Sequence, residues 1–211
     1  MTVNEADIGC RVIVFAKAPE PGKVKTRLIP ALGEVGAAAL HRRLVLHSLR
    51  VAQHAALGPI ELWCGPDTRH AFFSECERDF GLSLHSQSEG DLGERMRSAL
   101  EAALTRARRV ILVGSDIPAL SAQYLRDAAR ALDGTHEVVI GPAEDGGYVL
   151  IALAHCDPGL FRGIAWGGPG VVAETRRRIE ALRWRCFELR SLWDVDRPED
   201  LERLPKELRV Q

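Results

Sequence analysis

Arg109 to Pro118 reads RVILVGSDIP, and its reading decides the fold. Val110 to Val113 is a short apolar run rich in β-branched side chains. It is too brief for an amphipathic helix and apolar at successive positions, so it predicts a strand buried on both faces. Gly114, Ser115 and Asp116 follow, and Pro118 stops any continuation. A carboxylate therefore stands just past the C-terminal end of a central strand, where open α/β sheets bind their ligands. Such a carboxylate can hold Mg²⁺ against nucleotide phosphates, because Mg²⁺ is bound by one or two carboxylates together with substrate oxygens. The simpler alternative is that Asp116 only caps the turn.

Working outward towards the N-terminus, Arg11 to Ala16 (RVIVFA) predicts a first strand. It runs into Lys17 to Arg27, KAPEPGKVKTR, whose prolines exclude a regular helix through its first half. The cations of this loop are Lys17, Lys23, Lys25 and Arg27. A cationic loop directly after a buried strand can surround a polyphosphate, with lysine as a point charge and arginine as a bidentate fork. A solvated basic loop is the alternative. Gly22-Lys23 is followed by Val24 with no glycine five residues earlier, which excludes a Walker A loop. A lone Gly22 also excludes the G-x-G-x-x-G dinucleotide fingerprint.

Between these strands, Glu34 to Ala52 carries apolar residues at helical period, and Ile60 to Cys64 predicts a second strand. Asp67 or Thr68 is the expected N-cap of a helix built on Phe72, Phe73, Cys76 and Phe80, and Leu82 to Gln87 is a third strand. Gln87 to Met96, QSEGDLGERM, then places Gly90 and Gly93 around Asp91 at the start of a helix. Glycines there permit close approach of a ligand, and a helix N-terminus favours anions. Gln87, Gly90, Asp91, Gly93 and Arg95 are accordingly candidates for nucleotide binding. A capping box between Asp91 and Glu94 accounts for part of the pattern.

Beyond Asp116, Ser121 is expected to cap a helix that turns Leu125, Ala128, Ala129 and Leu132 inward. Glu137 to Gly141 predicts a strand, and Val149 to Leu153 another, joined by a hairpin-like Asp-Gly-Gly turn. Two acids, a double glycine and an aromatic at one strand end exceed what a turn needs. Asp145, Gly146, Gly147 and Tyr148 are therefore candidates for substrate binding, with Asp145 able to accept from a sugar hydroxyl and the glycines admitting a substrate close to the backbone. Phe161 to Gly170, containing Trp166, has the glycine content of a substrate-side lid before a helix built on Val172, Ile179 and Leu182. Ser191 to Asp196 predicts a last short strand. Asp196 and Glu199 then form a capping box with Pro198 in the first turn, which leaves Asp194 as a second candidate metal ligand.

Composition bounds the class. A chain of 211 residues suits one domain with a sizeable core, over residues 1–211. A net charge of −1 gives no bulk electrostatic case for nucleic acid or an anionic membrane. No apolar run approaches the ~20 residues of a transmembrane helix, and MTVNEADIGC lacks a signal-peptide pattern. Five scattered cysteines without a C-x-x-C pair suit reduced thiols in the cytoplasm and argue against a zinc site. The oligomeric state is left open.

Five stretches in this order, FAKAPEPGKVKTRL, QSEGDLGERM, ILVGSDIPAL, IGPAEDGGYVLIAL and LWDVDRPEDL, resemble the bacterial family of glycosyltransferase-A-like proteins called domain of unknown function 2064. That family is similar to phospholactate guanylyltransferases and, more remotely, to molybdenum-cofactor guanylyltransferases. The resemblance spans nearly the whole chain. It implies an α/β GT-A fold of the nucleotide-diphospho-sugar transferase type, three-layered, with a mostly parallel mixed sheet. It implies that Asp116 holds Mg²⁺ or Mn²⁺, that Lys17, Lys23, Lys25 and Arg27 cover a polyphosphate, and that Asp145 to Tyr148 face the second substrate. Asp194 falls near a further metal ligand of related nucleotidyltransferases. One departure is that a hydroxyl residue often follows Trp-Gly in the family's late loop, whereas here Gly168 follows Trp166-Gly167.

Two reactions suit these residues. In nucleotidyl transfer, an anionic acceptor (phosphate or carboxylate) attacks the α-phosphate of an NTP and pyrophosphate leaves. Lys17, Lys25, Arg27 and Asp116 would carry the catalysis by positioning and electrostatics. In glycosyl transfer, a nucleotide-sugar donates its sugar to a hydroxyl, with Asp145 or Glu144 as base. Four cations after the first strand suit a triphosphate better, so nucleotidyl transfer to a small-molecule acceptor is the expected activity. A non-catalytic nucleotide-binding protein is the third alternative.

Overall fold

The computed structural model describes residues 9–210. The expectation about the leader rests mainly on residues 1–8, which lie outside them. Seven strands form one sheet: β1 (Arg11–Lys17), β2 (Ile60–Gly65), β3 (Ser83–Ser86), β4 (Val110–Gly114), β5 (Val138–Pro142), β6 (Tyr148–Leu153) and β7 (Cys186–Glu188). Their order is β3-β2-β1-β4-β6-β5-β7, and every pairing is parallel except those of β6 with β4 and β5. Among the described residues five α-helices connect them: α1 (Ile29–Ala55), α2 (Ala71–Phe80), α3 (Leu92–Leu104), α4 (Ala122–Gly134) and α5 (Val171–Ala181).

Period-two alternation assigns each strand residue to a layer. Val12, Val14, Ile111 and Val113 pack with α1, α2 and α4 on one face, against Leu49, Phe73 and Leu125. Ile13, Phe15, Val110 and Leu112 pack with α3 and α5 on the other, against Leu100 and Ile179. The result is the expected three-layer arrangement with a mostly parallel sheet. Strands buried on both faces read as near-continuous apolar runs, which is how β1 and β4 read.

The order reverses between β1 and β4, because β2 and β3 lie to one side of β1 and all later strands to the other. At such a switch point the loops leaving the two strands diverge and open a crevice at their C-terminal ends. Lys17 ends β1 and Asp116 follows β4 at this crevice.

Three local expectations are corrected. Ser191 to Asp196 is not a strand. Leu192 makes a single bridge to Ala143, and the segment then leaves the sheet because Val195 is buried beside Leu28, Leu40 and Leu44. The seventh strand is instead Cys186–Glu188, beside β5. The N-cap of α2 is His70, whose Nδ1 accepts from Phe72 N at 3.2 Å, since the carboxylate of Asp67 is taken by Arg69. The cap expected from Asp196 and Glu199 comes from Asp200, whose Oδ2 accepts from the backbone N of Asp196 and Arg197. The caps at Ser121 and Asp91 form as the sequence predicts.

Candidate active site

Two cavities meet at the switch point and share Leu92, Gly114 and Asp116 in their walls. The first, of about 570 Å³, is walled by Lys17, Lys23, Lys25, Arg27, Gln87 and Arg95, among others. The second, of about 280 Å³, is walled by Asp145, Gly147, Tyr148, Trp166, Gly168 and Asp194, among others. Most of the candidate residues are thus brought together, and they divide by charge.

Asp116 stands at the junction. Its Oδ2 lies 2.9 Å from Lys25 Nζ, with the lysine side chain 5% exposed and the carboxylate 42% exposed to the cleft. Enclosure by the cleft walls opposes its charge, but the Lys25 ammonium and then the facing His41 ring outweigh this. The carboxyl is held well below the usual range. Lys25 also donates to the backbone O of Val195, and Val195 N donates to Asp116 O at 2.9 Å. Arg27 pairs with Asp196. The segment around Val195 therefore straps the cationic loop to the end of β4. Lys25 itself has φ 49°, a left-handed conformation uncommon for a side chain of its length, and it turns the loop so that its ammonium points inward. Lys23, by contrast, is exposed and paired with Glu20 at 2.6 Å.

His41 is a site residue that the sequence analysis missed. It lies on the buried face of α1, donates from Nε2 to Lys17 O at 2.9 Å, and sets Nδ1 3.6 Å from Asp116 Oδ1. Neither Nδ1 nor Oδ1 has a hydrogen-bond partner among the described residues. A lone histidine within the helical apolar pattern of Leu40 and Leu44 was the available signal. Asp196, expected as a cap, lines the first cavity as Arg27's partner.

Several candidates have structural tasks. Gln87 donates to Trp63 O at 2.9 Å and accepts from Arg95 at 3.2 Å, so its amide aims Arg95 at the cavity. Gly90, Asp91 and Gly93 do not line either cavity. Asp91 accepts from Glu94 N, and Glu94 reaches back to Asp91 N at 3.0 Å. At Gly90, φ is +104° and a Cβ would fall 2.1 Å from Glu94 Oε2, so the glycine serves this capping box. A Cβ on Gly93 would fall 2.5 Å from the Trp166 ring, so Gly93 makes room for the indole. Gly146 also stays out of both cavity walls, and a Cβ there would meet Pro169 O at 2.1 Å. The close approach it permits is between two loops of the protein.

In the second cavity, burial and then the neighbouring Asp145 push the Asp194 carboxyl up to about 6. Asp145 Oδ1 accepts from Gly147 N at 2.9 Å. Glu144 is held by both terminal nitrogens of Arg203 at 2.9 and 3.0 Å and does not line the cavity. A divalent cation suits this donor set: Asp116 Oδ1 is buried without a hydrogen-bond partner among the described residues, Asp194 is crowded by another acid, and carboxylates are hard oxygen ligands. Among the described residues no three acids, histidines or cysteines converge to chelate a metal unaided. That is compatible with Mg²⁺, which keeps positions for water and substrate oxygens.

Residues 48–168 match the family described as "Uncharacterized protein conserved in bacteria (DUF2064)". No curated protein matches the sequence. A Desulfovibrio desulfuricans G20 protein, named provisionally as a nucleotide-diphospho-sugar transferase, is 32% identical with a TM-score of 0.81, over 92% of this chain and 84% of its own. A nucleotidyl transferase from Methanothermobacter (Mth528) superposes with a TM-score of 0.60 at 16% identity, over 92% of this chain and 95% of that one. Rv0371c from Mycobacterium tuberculosis H37Rv, in complex with manganese, gives 0.55 at 18% identity, over 93% and 97%. The fold is therefore of the nucleotide-diphospho-sugar transferase type. No helix among the described residues is long and apolar enough to cross a membrane.

Proposed function

The chain belongs to DUF2064, the family of uncharacterized proteins conserved in bacteria, and from that premise we propose that it is a metal-dependent nucleotidyltransferase joining an NMP from an NTP to a small anionic acceptor. The observation that carries this reading is the junction at Asp116 of a larger cationic cavity with a smaller one. The triphosphate lies in the first, against Lys17, Lys25, Arg27 and Arg95, and the acceptor enters from the second. Asp116 and Asp194 would hold a divalent cation, Mg²⁺ or Mn²⁺, that neutralises charge on the transferring phosphate.

The acceptor oxygen forms a new P–O bond to the α-phosphorus, the bond to the bridging α–β oxygen breaks, and its electron pair leaves with pyrophosphate. The attacking oxygen is already ionised, so no general base is required. Lys25, buried at the junction, supplies fixed positive charge where charge develops. Gln87 holds Arg95 and the strap at Val195 holds Lys25, so these cations are pre-positioned.

A second reading, glycosyl transfer from a nucleotide-sugar, is favoured by the name of the Desulfovibrio protein. With Glu144 bound to Arg203, its base would be Asp145. Pyrophosphate release, measured with each NTP, Mg²⁺ and a panel of phosphorylated and carboxylated acceptors, separates the two. Release with one NTP, abolished by EDTA, supports nucleotidyl transfer. Sugar transfer from a nucleotide-sugar without pyrophosphate release overturns it.

A further inference from the structure

The charge division of the cleft constrains the acceptor. Asp116, Asp145 and Asp194 line the second cavity, and among the described residues no lysine, arginine or histidine does. Asp116 is paired with Lys25 from the first cavity, so an acceptor held in the second by another anionic group would face Asp145 and Asp194 with no cation in the wall and be repelled. If Asp116 and Asp194 are given to a metal, Asp145 remains. Its Oδ1 is engaged by Gly147 N, and its Oδ2 has no hydrogen bond or ion pair with any described residue.

The rest of the wall is apolar, with Tyr148, Trp166 and Met96 set among glycines and aliphatic side chains such as Ile117 and Val149. The rings of Tyr148 and Trp166 stand 6.1 Å apart at 89°, and the Tyr148 hydroxyl lies 3.8 Å from Met96 Sδ. Trp166 is seated by the missing Cβ of Gly93, and its Nε1 is buried without a hydrogen-bond partner among the described residues. Aromatic faces beside a carboxylate attract cations. A hydroxyl would satisfy Asp145 but leave its charge uncompensated.

We infer that the second cavity takes an alkylammonium group, so that the acceptor is a small zwitterion with its amine between Asp145 and Trp166 and its attacking phosphate or carboxylate at Asp116 and Lys25. This rests on the nucleotidyl-transfer reading. The amine stays protonated and takes no part in bond exchange. The cavity, about half the volume of its neighbour, suits a short chain.

The test compares three phosphomonoesters of matched size: 2-aminoethyl, 2-hydroxyethyl and n-propyl phosphate. Binding is measured by calorimetry to protein loaded with Mg²⁺ and the α,β-methylene analogue of each NTP in turn. The aminoethyl ester should bind at least about ten-fold more tightly than the other two. Asp145→Asn, which keeps the Oδ1 acceptor for Gly147 N, should remove most of that advantage without loss of nucleotide binding. Nucleotide binding with no preference for the amine, or with no binding of the amine, overturns the inference alone. Absence of nucleotide binding overturns the nucleotidyl reading and the inference with it.

Discussion

Gly146 and Gly147 are adjacent, and the structure predicts opposite outcomes for alanine at each. At Gly146, φ is +91°, and a Cβ would lie 2.1 Å from Pro169 O and 2.7 Å from Pro169 C, both backbone atoms. Gly146 O also accepts from Val172 N at 2.9 Å, which ties the loop to the first turn of α5. A non-glycine residue at positive φ costs about 1–2 kcal/mol, and overpacking against a rigid neighbour adds about 1–3 kcal/mol. Gly146→Ala should therefore cost about 2–5 kcal/mol, a fall in Tm on the order of 4–20 °C for a chain of this size. At Gly147 a Cβ would meet the Asp145 carboxylate, with Oδ1 nearest at 3.2 Å, the end of a side chain. Gly147→Ala should cost less than about 1 kcal/mol, partly offset by the reduced freedom of the unfolded chain. Scanning calorimetry on both variants reads the contrast. Both loops belong to the second cavity's surroundings, so Gly146→Ala should also impair acceptor binding more than Mg–NTP binding. Equal Tm values for the two variants would refute the loop contact and the shape of that cavity.

Among the cations, Lys25→Ala should weaken NTP binding far more than Lys23→Ala, because Lys25 is buried beside Asp116 and Lys23 is exposed and paired with Glu20; equal losses in a nucleotide titration would deny Lys25 its place at the phosphates. Asp194 titrates at about 6 when folded against an ordinary value of 3.8. Between those values the folded state binds the extra proton, so the contribution of Asp194 to stability falls as pH rises from about 4 to about 6 and is flat above. Asp194→Asn should flatten that limb and raise Tm at pH 7, read by melting curves across that range. Glu61 is fully buried, holding Arg11 and Arg106 at 2.9 Å and accepting from Trp63 at 2.8 Å. Glu61→Ala leaves buried Arg11 without its partner and should cost about 3–5 kcal/mol in denaturant unfolding, while nucleotide affinity in the folded fraction is unchanged.

The parts legible in the sequence were those set by local pattern. The apolar runs of β1 and β4, the helical periods of α3 and α4, and the caps at Asp91 and Ser121 each depend on residues within a few positions of one another. Asp116 was legible because a strand end followed by Asp and Pro is a local signal with a fixed place in an open sheet. The remainder depends on distant partners. β7 is three residues among arginines, and it exists because β5 offers it an edge. His41 reaches the candidate site only because α1 lays it beside Asp116, and Gly93 makes room only because Trp166 arrives there from 73 residues away in sequence. The segment at Val195 reads as a strand by alternation. Its burial under α1 turns it into the strap that holds Lys25.

The central claim, that Asp116 binds a metal–nucleotide complex at the junction of the two cavities, is tested most directly by titrating nucleotides into the parent protein and Asp116→Asn, each with Mg²⁺ and with EDTA. The account predicts that the parent binds one NTP more tightly with Mg²⁺ than without, and that Asp116→Asn, with its fold intact by circular dichroism, loses that difference. Mg²⁺-dependent NTP binding by the variant equal to that of the parent would contradict it.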